Sequence, residues 1–364
     1  MNKIRVGILF GGKSAEHEVS LLSAKNIIEA MDPRKYEVVL IGIDKNGEWH
    51  LRDAYRYLMH ADNPKLIHLQ KSQESVALVP KEMGRQLVSL SGTPLNKPLD
   101  VIFPVLHGTY GEDGTVQGLL KLADIPFVGS GVLSSAVGMD KDVMKRLLRD
   151  AGLPVAKFLA FEKSRRQLCV FSQVRDALGM PFFVKPANAG SSVGVAKVKN
   201  EEQFHQAINQ AFLYDRKILI EEFIPGREIE CSVLGNDEPI ASLPGEVIPQ
   251  HEFYSYEAKY LDENGAHFKI PAELDPSIVA RIQQLAIKAY QAICCEGMAR
   301  VDFFLKPNGD ALINELNTIP GFTKISMYPK MWEASGLSYS ELIDRLIHLA
   351  IDRHSQEKNL KTTF

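Results

Sequence analysis

The sequence is poor in cysteine and has no excess of basic residues. Its four cysteines, Cys169, Cys231, Cys294 and Cys295, lack the spacing of metal ligands, so we expect reduced residues in the core or on helices, without a catalytic role. The formal net charge is −3, whereas general nucleic-acid binding requires a basic surface. These absences leave small molecules as the expected partners and exclude nucleic acid.

Long hydrophobic runs are also missing. No apolar stretch could span a bilayer, and the apolar run in the opening MNKIRVGILFGGKS is too short for a signal peptide. We therefore expect a cytoplasmic protein without a membrane partner. With 364 residues, 45% hydrophobic and 24% charged, the chain has the composition of a globular protein of two or three domains.

The chain alternates strand and helix patterns, which indicates an α/β (α+β) fold. KIRVGILF predicts a strand, the segment from Ala15 to Met31 a helix, and YEVVLIGID the next strand, as in a small doubly wound parallel-sheet domain. LDVIFPVLHG and PFVGSG indicate further buried strands, whereas residues 52–98 show no clear pattern. Ligands of such sheets bind beyond the carboxyl ends of the strands, so the turns after Phe10 and Leu106 are candidate positions for a site.

Two further sections follow a predicted boundary between Ser130 and Asp140. We expect three domains, with residues 1–135 forming the N-terminal domain, 136–235 a central domain and 236–364 a C-terminal domain. Helices are predicted at DVMKRLLRDAG, FSQVRDALG, EEQFHQAINQAFLY, Pro276 to Ile293 and SYSELIDRLIHLAIDRH, and strands at LPVAKFLAF, PFFVKPA, VAKVKN, KILIEEFI, REIECSVLG and ASLPGEVI. A polar aromatic loop from Gln250 to Phe268 lies between them.

The segment from Met298 to Thr318 predicts a metal site on a β-hairpin. Two apolar runs flank a Pro-Asn-Gly turn; the first contains Asp302, and the second ends with Glu315 and Asn317. Side chains at i and i+2 of a strand share a face, and Asp302 can join them from the paired strand. Oxygen ligands without Cys or His favour Mg²⁺. The alternative is a solvated hairpin face.

GILFGGKS, from Gly7 to Ser14, satisfies the literal pattern of a phosphate-binding loop. In such a loop the residues between the glycines form a turn, whereas here they continue an apolar strand. We prefer a strand-to-helix turn at Gly11 and Gly12, which places Glu16 at the start of a helix. Glu16 could bind an ammonium group there, or simply compensate the helix dipole.

A second candidate for phosphate binding is FVKPANAGSSVGV. Lys185 ends an apolar strand, and the small residues from Ala189 to Gly194 could close over phosphates as a lid. Downstream, Glu221, Glu222 and Glu228 lie at strand ends in LIEEFIPGREIE, where carboxylates could bind an adenine amino group or ribose hydroxyls. The alternatives are an ordinary hairpin loop and solvated acidic residues.

Eight segments in order resemble the D-alanine:D-alanine ligases, and they cover nearly the whole chain. These are GGKSAEHEVS, HGTYGEDG, MDKDVMKRLLRDAGLPVA, VKPANAGSSVG, EEFIPGREIE, YEAKY, MARVDFF and NELNTIPGFT. The longer of the two common bacterial forms, the A type, is the most similar. The resemblance implies a three-domain ATP-grasp fold, ATP and two Mg²⁺ ions for which Mn²⁺ can substitute, and a role in peptidoglycan synthesis. Members are commonly dimers, so a homodimer is an expectation that no residue pattern tests.

The resemblance also implies a role for each candidate residue. Lys141, Lys185 and Lys259 would contact ATP phosphates under a lid containing Ser192; Glu221 and Glu222 would lie at the adenine and Glu228 at the ribose; Asp302, Glu315 and Asn317 would bind the metal ions. Glu16 would bind the ammonium of the first D-alanine near His107, Ser191 and Tyr260 would hydrogen-bond to Glu16, Arg300 would lie over the reacting groups, and Gly321 and Ser326 would hold the second D-alanine.

The implied reaction is the ligation of two D-alanines through a D-alanyl phosphate. Tyr260 favours the dipeptide over the ester made by D-alanine:D-lactate ligases, because those relatives depart from this tyrosine. Two other hypotheses stay open: another ATP-grasp carboxylate-amine ligase, and a nucleotide-binding regulator without catalysis. No residue identifies itself as the base for the second amine.

Overall fold

The computed structural model describes residues 3–52, 57–60, 63, 66–70, 74–80, 86–91, 97–249 and 266–361. The predicted site residues Lys259 and Tyr260 lie outside the described residues, as does most of the predicted aromatic loop from Gln250 to Phe268.

The described residues form strands and helices with the following bounds. The strands are β1 Ile4–Gly11, β2 Tyr36–Ile43, β3 Trp49–Arg52, β4 Leu58–Met59, β5 His68–Leu69, β6 Val76–Leu78, β7 Leu87–Ser89, β8 Val101–Val105, β9 Phe158–Glu162, β10 Phe182–Pro186, β11 Ala196–Val198, β12 Lys217–Glu222, β13 Arg227–Gly235, β14 Ile240–Ala241, β15 Gly245–Pro249, β16 Ala266–Lys269, β17 Gly297–Leu305 and β18 Ala311–Asn317. The helices are α1 His17–Ala30, α2 Thr115–Leu122, α3 Val132–Met139, α4 Lys141–Asp150, α5 Phe171–Leu178, α6 Glu201–Tyr214, α7 Pro276–Ala292, α8 Met327–Ala334 and α9 Tyr339–Lys358, with a 3-10 helix at Lys163–Leu168.

The first sheet has the strand order β3-β2-β1-β8. β1 pairs in parallel with β2 and β8, and β3 is antiparallel to β2. The apolar run of β1 is buried on both faces because α1 and α9 pack on one side of the sheet and α2 on the other. The strand predicted at PFVGSG is wrong: only Phe127 forms a bridge, to Ile102, and Gly129 then turns the chain with a φ of 93°.

The second sheet is antiparallel, in the order β11-β10-β12-β9. Helices α5 and α6 contribute Val174 and Phe204 to its buried core, where the ring of Phe182 meets Phe204 edge-on at 5.9 Å. The opposite side of β10 and β12 carries the charged residues of the candidate site.

The third sheet is antiparallel as well, in the order β16-β15-β13-β17-β18, with β14 paired to β13. β17 and β18 form the predicted hairpin, with a bulge where the register shifts between Asp302 and Phe303. Helix α7 covers one face with Ile282, Ala286 and Tyr290. The other face is left for the candidate site.

Two helices pack across the predicted domain boundaries. Leu342 and Leu346 of α9 share a core with Ile8 of β1, and Met144 of α4 shares a core with Val301 of β17. β13, placed by the predicted boundary in the central section, belongs to the third sheet. The boundaries themselves stay predictions. Within the described part of the chain, no helix is long and apolar enough to cross a membrane.

Candidate active site

Two adjoining cavities lie where the three sheets meet. The first cavity is lined by Glu16, His107, Arg300 and Ser326 among others, and the second by Lys185 and Glu221 among others. Both cavities are lined by Lys141, Gly190, Ser191, Glu228, Phe304, Asn314 and Glu315. Every predicted site residue that the structure describes lines one or both of them.

The turn after β1 positions Glu16. Gly11 and Gly12 have φ values of 92° and 100°, and the Gly12 amide donates to the Ile43 carbonyl at 2.9 Å. The residues between the glycines of the literal phosphate-loop pattern lie in buried β1, so the strand-to-helix turn is the correct interpretation. Glu16 precedes α1 and is only 6% exposed. A carboxylate is thereby fixed in the wall of the first cavity.

The small-residue loop after β10 reaches this carboxylate. The Ser191 hydroxyl donates a hydrogen bond to Glu16 Oε1. Ser191 and Ser192 have left-handed φ values of 50° and 61°, which non-glycine residues adopt rarely. A Cβ on Gly108 would lie 2.5 Å from Glu16 Oε2, so only glycine fits beside this carboxylate.

His107 and Glu112 lie behind Glu16. The His107 ring contacts Ser23 Oγ at 3.3 Å through Nε2 and the Ile319 carbonyl at 3.1 Å through Nδ1, and burial lowers its pKa. Glu112 is not among the residues predicted from the sequence. Burial and the nearby Glu16 carboxylate raise the pKa of Glu112 to about 8, and its Oε2 accepts from the Gly108 amide at 2.7 Å. The Glu112 carboxyl therefore keeps its proton to a higher pH than an exposed carboxyl does.

A buried trio of charges forms one side of the second cavity. Glu221, 2% exposed, contacts Lys185 Nζ at 2.6 Å through Oε2 and Lys145 Nζ at 3.1 Å through Oε1. Burial would raise the pKa of Glu221, but the two ammonium groups outweigh burial and lower it. Lys145 is fully buried, and burial lowers its pKa. Lys145 was missed because a lysine on an amphipathic helix ordinarily faces solvent.

Lys141 is the cation that both cavities share. Its Nζ donates to the Ala189 carbonyl at 2.8 Å and lies 3.4 Å from Glu315 Oε2. The lysine thus joins the small-residue loop to the hairpin. Two ammonium groups, on Lys141 and Lys185, face the second cavity, which is the electrostatic environment that a polyphosphate requires.

The outer part of the second cavity is aromatic. The rings of Phe183 and Phe223 lie 6.2 Å apart, and Lys197 Nζ lies 4.4 Å from the centre of the Phe223 ring. Glu222 Oε1 accepts from the Lys157 amide at 2.7 Å. Flat apolar surfaces beside carboxylates suit a planar base with amino groups. The sequence did not indicate Lys197, because its contact is with the ring of Phe223, which follows another strand, β12.

The hairpin residues share one face with residues of β13. Asp302 lies opposite Glu315 on one side and Glu230 on the other, and Arg300 lies opposite Asn317 and Ser232. Arg300 donates from Nε and Nη2 to the two Asp302 oxygens at 2.7 Å each, and Asn317 Nδ2 donates to Asp302 at 3.0 Å. The structure thus brings together the three predicted metal ligands and Arg300.

The donor set fits a hard divalent cation. Asp302, Glu315 and Asn317 offer oxygen atoms only, which suits Mg²⁺ or Mn²⁺ better than softer metals. Asn314, the extra residue in the bulge, lines both cavities. Its Oδ1 is buried and lacks a hydrogen-bond partner among the described residues. An acceptor left open beside Glu315 is consistent with an ion or its bound water.

Ser326 and Gly321 form the far end of the first cavity. The Ser326 hydroxyl accepts from the Thr323 amide at 2.9 Å, and Ser326 immediately precedes α8. A Cβ on Gly321 would lie 2.8 Å from Ser326 Oγ. A hydroxyl at the N-terminus of a helix suits a carboxylate.

The comparisons with known proteins agree with this geometry. Residues 5–130 match the family model described as D-ala D-ala ligase N-terminus, and residues 147–348 match D-ala D-ala ligase C-terminus. The chain is 58% identical to D-alanine–D-alanine ligase of Shouchella clausii (strain KSM-K16), covering 100% of this chain and 99% of that protein. It is 56% identical to D-alanine–D-alanine ligase A of Escherichia coli (strain K12), with 100% of both chains covered.

Solved structures agree as well. D-alanine–D-alanine ligase from Coxiella burnetii superposes with a TM-score of 0.86 at 41% identity, covering 99% of this chain and 97% of that one. VanG D-Ala:D-Ser ligase from Enterococcus faecalis superposes with a TM-score of 0.82 at 36% identity, covering 96% of this chain and 100% of that one. The predicted ATP-grasp fold is confirmed, and the chain belongs to the D-alanine–D-alanine ligase family.

Proposed function

We propose that this chain joins two D-alanine molecules into D-alanyl-D-alanine, with conversion of ATP to ADP and phosphate, as a step of peptidoglycan precursor synthesis. The observation that carries the proposal is the junction of the two cavities at Lys141, Ser191 and Glu315. A cationic, aromatic cavity for a nucleotide opens there into a cavity with separate positions for an ammonium and a carboxylate.

The second cavity is the proposed ATP site. Phe183 and Phe223 would stack near the base, with Glu221 and Glu222 toward its amino group and Glu228 toward the ribose. The triphosphate would extend toward Lys185 and Lys141, beneath the loop that contains Ser192. Lys259, predicted to reach a phosphate, keeps that role as a prediction only.

Asp302, Glu315 and Asn317 would hold the metal, which we propose to be two Mg²⁺ ions or Mn²⁺ in their place. The bound cations would neutralise negative charge on the transferred phosphoryl group. Arg300 would supply a further positive charge from the neighbouring position on β17. Together these groups would stabilise a transition state in which several anionic oxygens meet.

The first cavity is the proposed amino-acid site. Glu16 would bind the ammonium of the first D-alanine, with His107 behind it. Ser191 would fasten the loop to Glu16, as its hydrogen bond already indicates. The carboxylate of the second D-alanine would lie at Ser326 and Gly321. The two amino acids would then be oriented head to tail.

The reaction would proceed in two steps. The carboxylate of the first D-alanine attacks the γ-phosphorus of ATP, giving a D-alanyl phosphate and ADP. The amine of the second D-alanine then attacks the acyl carbon, and a tetrahedral intermediate expels phosphate. Because acyl phosphates hydrolyse, the loop bearing Ser191 must exclude water until the amine has reacted.

Because one structural neighbour is named as a D-Ala:D-Ser ligase, the main alternative is that this chain joins D-alanine to a different second substrate. A phosphate-release assay with ATP and Mg²⁺ tests both. We expect release with D-alanine and none with L-alanine, and D-alanyl-D-alanine as the main product when D-serine or D-lactate competes. Nucleotide binding without phosphate release would favour the regulator hypothesis. A homodimer and a cytoplasmic location stay proposals, the latter resting on the use of ATP.

A further inference from the structure

Glu230 on β13 completes a row of three carboxylates across adjacent strands. The register places Glu230, Asp302 and Glu315 side by side on β13, β17 and β18. The Glu230 side chain is 12% exposed and lines the first cavity. The sequence analysis gave Glu230 no role, and neither its neighbours in sequence nor the spacing of the hairpin residues indicates one.

The Arg300 guanidinium lies between two of these carboxylates. Its Nε atom is 2.7 Å from Asp302 Oδ1 and 2.9 Å from Glu230 Oε2, while Nη2 is 2.7 Å from Asp302 Oδ2. The Arg300 side chain is 20% exposed, so solvent screens these contacts only in part. A small rotation of the guanidinium would exchange the Asp302 contact for the Glu230 contact.

Asp302 is also a proposed metal ligand, so a cation and Arg300 compete for the same oxygens. Arg300 occupies both Asp302 oxygens in this structure. A divalent cation bound at Asp302 would lie within a few ångströms of the guanidinium, and the two positive groups would repel strongly in a cavity shielded from water. Metal binding therefore requires Arg300 to release Asp302.

We propose that Glu230 is a positioning residue that retains Arg300 when a divalent cation takes Asp302. The inference rests on the proposed function, because it places the metal at Asp302. Arg300 moves to Glu230 as the ion binds, and its Nη2 atom, released from Asp302, then points into the cavity where the phosphoryl group is transferred. Asp302 then binds the metal ion, and Glu230 binds Arg300. Without Glu230, Arg300 would stay on Asp302 and oppose the ion.

The affinity of the free protein for Mn²⁺ tests this inference, with unbound Mn²⁺ measured by electron paramagnetic resonance. We expect Glu230→Gln to weaken Mn²⁺ binding about tenfold, the equivalent of 1.4 kcal/mol. We expect Arg300→Met to tighten binding. In the Arg300→Met background, Glu230→Gln should change the affinity by less than about twofold, because nothing remains to be retained.

A simple loss of negative charge near the ion would also weaken binding, and two comparisons separate the explanations. If Glu230→Gln acted only by removing a negative charge near the ion, it would change the Mn²⁺ affinity by the same factor with and without Arg300→Met. That result would overturn the inference. Glu230→Asp keeps the charge but withdraws the carboxylate from Arg300. We expect Glu230→Asp to weaken Mn²⁺ binding as Glu230→Gln does, and an affinity equal to that of the unaltered protein would also overturn the inference.

Two further variants complete the design. Asp302→Asn should abolish most Mn²⁺ binding, and unchanged binding would contradict the proposed metal site itself. If Asp302→Asn reduces binding but Glu230→Gln has the same effect with and without Arg300→Met, only this inference is wrong. Glu246→Gln is the matched control. Glu246 holds Arg227 through two 2.7 Å contacts in the same sheet and lines neither of the two cavities. We expect Glu246→Gln to leave Mn²⁺ affinity unchanged.

Discussion

Replacing Lys145 with methionine should weaken both the fold and ATP binding. Lys145 is fully buried and lies 3.1 Å from Glu221, which is itself 2% exposed. Breaking a buried ion pair by removing one partner costs about 3–5 kcal/mol. Because Lys185 still contacts Glu221 at 2.6 Å, we expect the lower part of that range, about 3 kcal/mol. The methionine fills most of the vacated volume, so the loss is electrostatic.

The effect on the nucleotide follows from the same contacts. With Lys145 present, the trio of two lysines and one glutamate carries a net positive charge toward the second cavity. Without Lys145, Glu221 neutralises Lys185, and the cavity attracts phosphates less. We expect the KM for ATP to rise about tenfold, or 1.4 kcal/mol of binding, with a smaller change in kcat.

Urea unfolding and ATP titrations at saturating D-alanine would measure both quantities. Adding Glu221→Gln to Lys145→Met should restore part of the stability, because the buried carboxylate that only Lys185 still holds is removed. It should also lower the KM for ATP again, because no carboxylate then neutralises Lys185. Lys163→Met is a control beside the same sheet: Lys163 directly follows β9, its Nζ donates to the Phe212 carbonyl at 3.1 Å, and it lines neither cavity. An unchanged KM for ATP in Lys145→Met, or additive losses in the double variant, would refute the reasoning.

Three other substitutions test separate parts of the site. Glu315→Gln should abolish phosphoryl transfer while leaving the unfolding curve nearly unchanged. Normal phosphate release by this variant would show that the hairpin is not part of the active site. Gly321→Ala places a Cβ 2.8 Å from Ser326 Oγ and should raise the KM of the second D-alanine about tenfold, or 1.4 kcal/mol, with the KM for ATP as the control. The Glu112 carboxyl has its pKa raised from 4.5 to about 8, so its contribution to stability is complete below pH 4.5 and is lost as the pH rises through 8. The loss is at most about 5 kcal/mol and less here, because the side chain is only half-buried. Glu112→Gln should flatten the decline in unfolding free energy between pH 5 and 8, and an equally steep decline would contradict the assignment.

The sequence predicted the hairpin well because the information is local. Asp302, Glu315 and Asn317 lie within one pair of strands, and the alternation of side chains decides which of them share a face. The same holds for Glu16, whose position follows from a strand, two glycines and a helix start. Helix α6, a single amphipathic segment, has the predicted bounds.

The residues that the sequence analysis missed depend on contacts between distant segments. Lys145 and Glu221 are 76 positions apart, and nothing near either residue indicates the other. Glu230 acquires a partner only through the register of β13 with β17. Helix α8 was missed because Pro329 interrupts its pattern, although proline is tolerated in a first helical turn. Contacts between distant segments, rather than residue type, decide the roles of Lys145 and Glu230.

The packing of α9 against β1 gives the order of synthesis a physical consequence. The apolar side chains of the first strand and of α1 are covered in part by Leu342, Ile343 and Leu346, residues that leave the ribosome long after β1. Until then the N-terminal sheet exposes an uncovered apolar surface, and it can reach its final stability only after α9 has emerged. Deleting α9 should therefore destabilise the N-terminal sheet, which would be seen as early hydrogen exchange in β1.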